Sequence, residues 1–135
     1  MKRRLAAAVV PPPSAMPPVA ASPAALAYAA EARVGGLVRA LGALTTDDER
    51  RRFLIDLCTP AELEAIADRW AVVPELAAGR AYRDIHDRTG VSVTTIGRVA
   101  RCLALGAGGY RVAAERLGHL APEAGFAAPS ADDAH

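Results

Sequence analysis

The chain has 135 residues, 52% of them hydrophobic, but alanine makes up about a quarter and only 38 side chains are V, I, L, M, F, W, Y or C. That suffices for one small core, which excludes a multidomain enzyme, and no stretch nears the roughly 20 apolar residues of a membrane span. The formal charge of +1 sums opposed regions, +4 over Met1–Ala43, −4 over Leu44–Ala78, +4 over Gly79–Leu117 and −3 over Gly118–His135, so near-neutrality does not exclude a polyanionic partner.

Residues 1–23 hold six of the ten prolines among Ala, Ser and Val. Such a segment cannot sustain a helical ladder and has little to bury, so it is expected to be a disordered tail. Its start, Met1-Lys2-Arg3-Arg4 followed by Leu5–Val10, imitates a signal peptide. The apolar run stops at Pro11-Pro12-Pro13, short of the roughly 7–15 residues of an h-region. A cytoplasmic, nucleoid-associated location is the expectation.

Residues 24–118 read as one all-α domain, because no stretch alternates apolar and polar residues for long enough to make a strand. The first predicted helix runs from Ala24 to about Leu44, with Leu26, Ala30, Val34, Leu37, Val38 and Leu41 at three- and four-residue spacing. Thr46 is the predicted N-cap of a second helix, since Asp47, Asp48 and Glu49 then complement the helix dipole. That helix is expected to reach Cys58 and to bury Phe53, Leu54 and Leu57. Thr59-Pro60-Ala61-Glu62 forms a capping box with Pro at the first helical position. The third helix is expected to bury Leu63, Ile66, Trp70 and Val73, to be kinked or divided at Pro74, and to close at Gly79.

A short helix is predicted over Tyr82–Thr89, ended by Gly90. Val91 and the N-cap Ser92 lead into a longer helix from Val93 to about Leu105, broken by Gly106, Gly108 and Gly109. A last helix covers about Tyr110–Leu117, and residues 119–135 are expected to be a flexible tail.

Residues 82–105 thus carry the pattern of a helix-turn-helix. Gly90 stands where the chain must turn through positive φ. Ile85, Val91, Ile96 and Val99 are spaced to fill the angle between the two helices, which must be rigid for the second to enter a groove about 12 Å wide. On a wheel of about 100° per residue, Ile96, Val99, Ala100 and Leu103 share one face. Thr94, Arg98 and Arg101 lie opposite, with Thr95 flanking. No acidic residue occurs between Ser92 and Ala114. Hydroxyls and guanidiniums of this kind contact base edges and phosphates, and Arg80, Arg83 and Arg88 beside the turn could fix register on phosphates. Exposed Thr and Arg on two helices joined at a Gly are also ordinary surface. His86 reads as a packing histidine or a phosphate contact.

Other chemistries find no support. Cys58 and Cys102 lie 44 positions apart without a CxxC partner, so neither a disulfide framework nor a zinc knuckle is expected, and both read as small apolar side chains. His86, His119 and His135 have no metal-ligand spacing with them. No P-loop, nucleophile elbow or dinucleotide fingerprint occurs. No enzyme activity, metal or cofactor is expected.

Leu57-Cys58-Thr59-Pro60-Ala61-Glu62-Leu63, then Glu75-Leu76 with Gly79, then Tyr82-Arg83-Asp84-Ile85 and Thr89 through Val99, with Gly108-Gly109-Tyr110, closely resemble the Trp-repressor-like family. The match is nearest to its bacterial branch labelled YerC/YecD and covers roughly Asp56–Leu117. The resemblance implies an all-α helical bundle, an intertwined homodimer, and binding of double-stranded operator DNA as a transcriptional regulator. It implies a DNA-contacting role for Arg83 and groove-facing roles for Val93, Thr94 and Thr95. Together with the wheel, it makes Arg83, Ser92, Val93, Thr94, Thr95, Arg98 and Arg101 the candidate DNA-binding residues. A possible effector pocket would involve Ala71, Arg98 and Val99. In Trp repressor proper an arginine on the third helix helps hold the carboxylate of tryptophan, and the matching position is read here as Ala71. Arg98 matches a second arginine near that ligand, but Val99 replaces the small residue after it. Losing a charge-assisted contact to a carboxylate is costly, so tryptophan is not the expected effector. The rival reading is a helix-turn-helix scaffold that docks on transcription machinery without DNA readout.

Overall fold

The computed structural model describes residues 20–122, and among these every regular element is an α-helix. The helices are α1 (Pro23–Ala43), α2 (Asp47–Leu57), α3 (Pro60–Ala77), α4 (Tyr82–Thr89), α5 (Val93–Leu105) and α6 (Gly109–Arg116). The expected tails fall mostly outside the described residues. Leu120, assigned to the C-terminal tail, packs against the core.

The chain divides into two compact units between Arg50 and Arg51. In the first unit, Ser22 caps α1 by accepting from the Ala25 N–H at 3.2 Å, with Pro23 at the first helical position. None of the α1 residues is buried, and Leu26, Val34, Leu37, Val38 and Leu41 are all exposed. The start of α2 is closed by a reciprocal cap. Thr46 Oγ1 accepts from the Glu49 N–H at 3.1 Å, and the Glu49 carboxylate accepts from the Thr45 and Thr46 N–H groups at 2.8 and 3.1 Å. Those two backbone donors hold the Glu49 carboxyl below its ordinary value.

The second unit holds the core. Val72, Val73 and Leu76 of α3 meet Ile85 of α4, Val91 of the turn, Ile96, Val99, Ala100 and Leu103 of α5, and Ala114 of α6. Trp70, Tyr82 and Tyr110 pack around it, with the Trp70 and Tyr110 ring centroids 6.4 Å apart. The capping box at Thr59 and Glu62 forms as expected, with bonds of 3.2 and 2.8 Å.

Three expectations about burial and helix shape need correction. Phe53, Leu54 and Leu63 are only half-buried, and Leu57 and Ile66 are exposed. Their apolar faces lie away from the α3–α6 core. Val73 is buried as expected, but the α3 core stripe is Val72, Val73 and Leu76. Of the two outcomes expected at Pro74, a kink or a division, the division does not occur, and α3 runs unbroken to Ala77. An interior proline costs a helix about 3 kcal/mol. Fully burying Val72, Val73 and Leu76 on both sides of it contributes roughly 1.5–3 kcal/mol each, which outweighs the lost bond.

Candidate nucleic-acid interface

The helix-turn-helix is built from local signals at each joint. The chain leaves α4 through Gly90, at φ 74°, a left-handed conformation that side-chain-bearing residues rarely adopt. Thr89 Oγ1 donates to the Ile85 carbonyl at 2.6 Å and accepts from the Val91 N–H at 3.2 Å. His86 spans the turn, its Nδ1 lying 2.7 Å from the Val91 carbonyl oxygen, which an Nδ1–H would satisfy. His86 therefore braces the turn. Ser92 caps α5, accepting from the Thr95 N–H at 3.2 Å and donating to Thr95 Oγ1 at 3.0 Å.

The buried face of α5 consists of Ile96, Val99, Ala100 and Leu103, the four residues the wheel placed together. Gly97 faces α4, where a Cβ would lie at an ordinary contact distance of 3.7 Å from the Tyr82 ring. Burial of that ring pushes the Tyr82 hydroxyl pKa up. Opposite the core, Thr94, Arg98 and Arg101 are exposed, as are Val93, Ser92 and Arg83. Among the described residues none of Arg83, Arg98 and Arg101 enters an ion pair. Their guanidiniums are thus available to an anion.

Thr95 is placed differently from Thr94. It is half-buried and borders a cleft of about 290 Å³ with Ala65, Asp68, Arg69, Gly90, Val91 and Ser92. Its hydroxyl oxygen already accepts from Ser92, which leaves its proton to donate. The three residues named for an effector space differ in burial. Val99 is 1% exposed and sealed in the core, whereas Ala71 and Arg98 are exposed. The α3 guanidinium that borders the cleft beside the turn is Arg69, two positions before Ala71.

Arg80 and Arg88 are both ion-paired. Both Nε atoms approach the same Glu75 carboxylate oxygen, at 2.5 and 3.2 Å. Nothing in the spacing of Glu75 marked it as their partner, because the connection after α3 has to fold back to bring them together. No group of three or more potential metal ligands occurs among the described residues. No described helix is long and apolar enough to cross a membrane.

Comparison with known proteins places this geometry. The family model described as Trp repressor protein matches residues 33–118. The uncharacterized protein YerC of Bacillus subtilis (strain 168) is 41% identical over 70 residues, which cover 52% of this chain and 67% of YerC. A TrpR like protein from Eubacterium eligens ATCC 27750 has a similar fold, with a TM-score of 0.61 and 40% identity over 65% of this chain and 91% of that one. A solved structure from Staphylococcus aureus gives the same TM-score of 0.61 at 31% identity, over 64% of this chain and 87% of its own. With six helices among its described residues, its glycine-turned joint between α4 and α5, and these matches, the chain belongs to the Trp repressor family and to its YerC-like branch.

Proposed function

We propose that this protein is a sequence-specific, double-stranded-DNA-binding transcriptional regulator that acts as a homodimer in the cytoplasm. The observation that carries this is the outer face of α5. A helix braced on four buried side chains presents Thr94, Arg98 and Arg101 to solvent, with no carboxylate on it. In the major groove Thr94 would meet base edges, Arg98 and Arg101 guanine or phosphate, and Arg83 of α4 the backbone. Ser92 contributes chiefly as the cap that starts the helix. Thr95 reaches the groove only from its flank.

The second copy answers an energetic need. Leu26, Val34, Leu37, Val38 and Leu41 of α1, with Ile55, Leu57 and Ile66, are apolar and exposed in one protomer. Burying such side chains is worth roughly 1.5–3 kcal/mol each, which favours covering them with their counterparts. Two recognition helices would then address half-sites about 34 Å apart on one face of the duplex.

Titration of random-sequence duplex at two salt concentrations separates this reading from a scaffold that docks on another protein. A DNA binder loses affinity steeply as salt rises. A scaffold shows negligible binding at either. Thr94→Ala and Arg98→Ala should each cost about 1–3 kcal/mol of discrimination, and Arg83→Ala should mainly flatten the salt slope. Equal loss on all sequences in the first two variants would contradict direct readout. Arg69 gives a carboxylate-bearing effector a guanidinium that Ala71 does not, and thermal shift against amino acids, tryptophan included, tests that point.

A further inference from the structure

Glu75 lies in the last turn of α3, and its Oε2 is shielded from solvent. Two guanidiniums converge on that one oxygen, although neither N–H is aligned with it as a hydrogen bond. The attraction is therefore mainly Coulombic. Arg80 belongs to the connection before α4, and Arg88 to the last turn of α4. On a wheel of about 100° per residue, Arg88 falls about 60° from the buried Ile85, on the flank opposite Tyr82. Tyr82 packs on Gly97 of α5. One flank of α4 is thus held by α5 and the other by Glu75, while Arg83 points outward.

We propose that Glu75 is a positioning residue for DNA recognition. By drawing both ends of α4 onto the end of α3, it sets the tilt at which Arg83 and the amino end of α5 meet the duplex. This rests on the DNA-binding reading above. Removing the negative charge leaves two guanidiniums repelling each other at short range. Their side chains are 40% and 52% exposed, so they can swing to solvent or to a nearby phosphate. Loss of the carboxylate also raises the net charge by one. Geometry and charge then act in opposite directions: sequence-dependent recognition weakens, and sequence-independent attraction does not.

The test compares the full wild-type chain with Glu75→Gln on two duplexes, one selected by the wild type from random DNA and one of random sequence, across a salt series. Affinity for the selected duplex should fall about tenfold. The random duplex should bind as well or better, with a salt slope at least as steep. A variant that merely loses folded protein loses both affinities in the same ratio. That result, unchanged binding to both, or a gain on the selected duplex would overturn the positioning role. If Glu75→Gln does not fold, Arg88→Gln takes its place, since the carboxylate keeps Arg80. It should show the same loss of discrimination, and a matched loss on both duplexes with a shallower slope would overturn the inference by making Arg88 a phosphate contact. A wild type that binds neither duplex overturns the DNA-binding reading itself. A discriminating wild type with an equally discriminating variant overturns this inference alone.

Discussion

On the proposed DNA-binding function, Ser92 lets helix stability and DNA contact be pulled apart in a single position. Its Oγ accepts from the Thr95 N–H at 3.2 Å and donates to Thr95 Oγ1 at 3.0 Å. Both bonds are exposed, so the second adds little, and the loss in Ser92→Ala is that of a serine cap, about 1 kcal/mol. For a domain of this size that lowers Tm by about 4–8 °C. Ser92→Asp keeps a capping oxygen and adds a negative charge at the amino end of α5, which the helix dipole favours by about 0.3–1 kcal/mol. Its Tm should equal or exceed that of the wild type. On DNA the same charge is unfavourable. Taking about 8 Å to one phosphate and an effective dielectric of about 20, the repulsion is about 2 kcal/mol, roughly a thirtyfold loss of affinity. Differential scanning calorimetry and fluorescence anisotropy on a labelled duplex read the two quantities. A Ser92→Asp protein that is as stable as the wild type and binds DNA equally well would remove the amino end of α5 from the interface. An unmoved Tm in Ser92→Ala would refute the cap.

Three further outcomes follow from the packing and the caps. Gly97→Ala places its Cβ at ordinary contact distance from Tyr82 and should stabilise α5 by about 0.5–1 kcal/mol; a lower urea midpoint would show that α4 and α5 pack closer than described. Gly106→Ala would drive a Cβ into the Cys102 carbonyl oxygen, forcing the backbone to shift at a cost of about 1–3 kcal/mol; an unchanged urea midpoint would contradict that. The Glu49 carboxyl is held below its ordinary value of 4.5. A lowered carboxyl contributes stability above its unfolded value, and that contribution is lost as pH falls through the folded one. Acidification below 4.5 should therefore speed amide exchange at Thr45 and Thr46 beyond its intrinsic change, and an identical acid response in Glu49→Gln would show that the ionised cap is not the cause.

The helix-turn-helix was legible because its signals are local. Gly90 and Ser92 mark the joint, and Ile96, Val99, Ala100 and Leu103 mark the buried face, without help from distant residues. The bounds of α4 and α5 came out as read. What depended on the rest of the chain was less visible. The spacing of Leu57 and Ile66 declares an apolar face, but sequence cannot say whether the same protomer covers it, and among the described residues both stay exposed. Pro74 is a helix breaker by its chemistry, and the strength of the α3 contacts that override it appears only once Ile85 and Val99 are in place. Arg80 and Arg88 look like free cations until the fold returns them to Glu75. Arg69, beside the cleft at the turn, carries no periodic signal that would have singled it out over Ala71.

Selection of bound fragments from random duplex by the purified protein puts the role of α5 to the most direct test. Two copies presenting Thr94, Arg98 and Arg101 should enrich a two-fold symmetric sequence whose half-sites lie about 10 base pairs apart, centre to centre. Recovery of the input distribution, with no sequence enriched at any salt concentration, would contradict a DNA-reading function for this face.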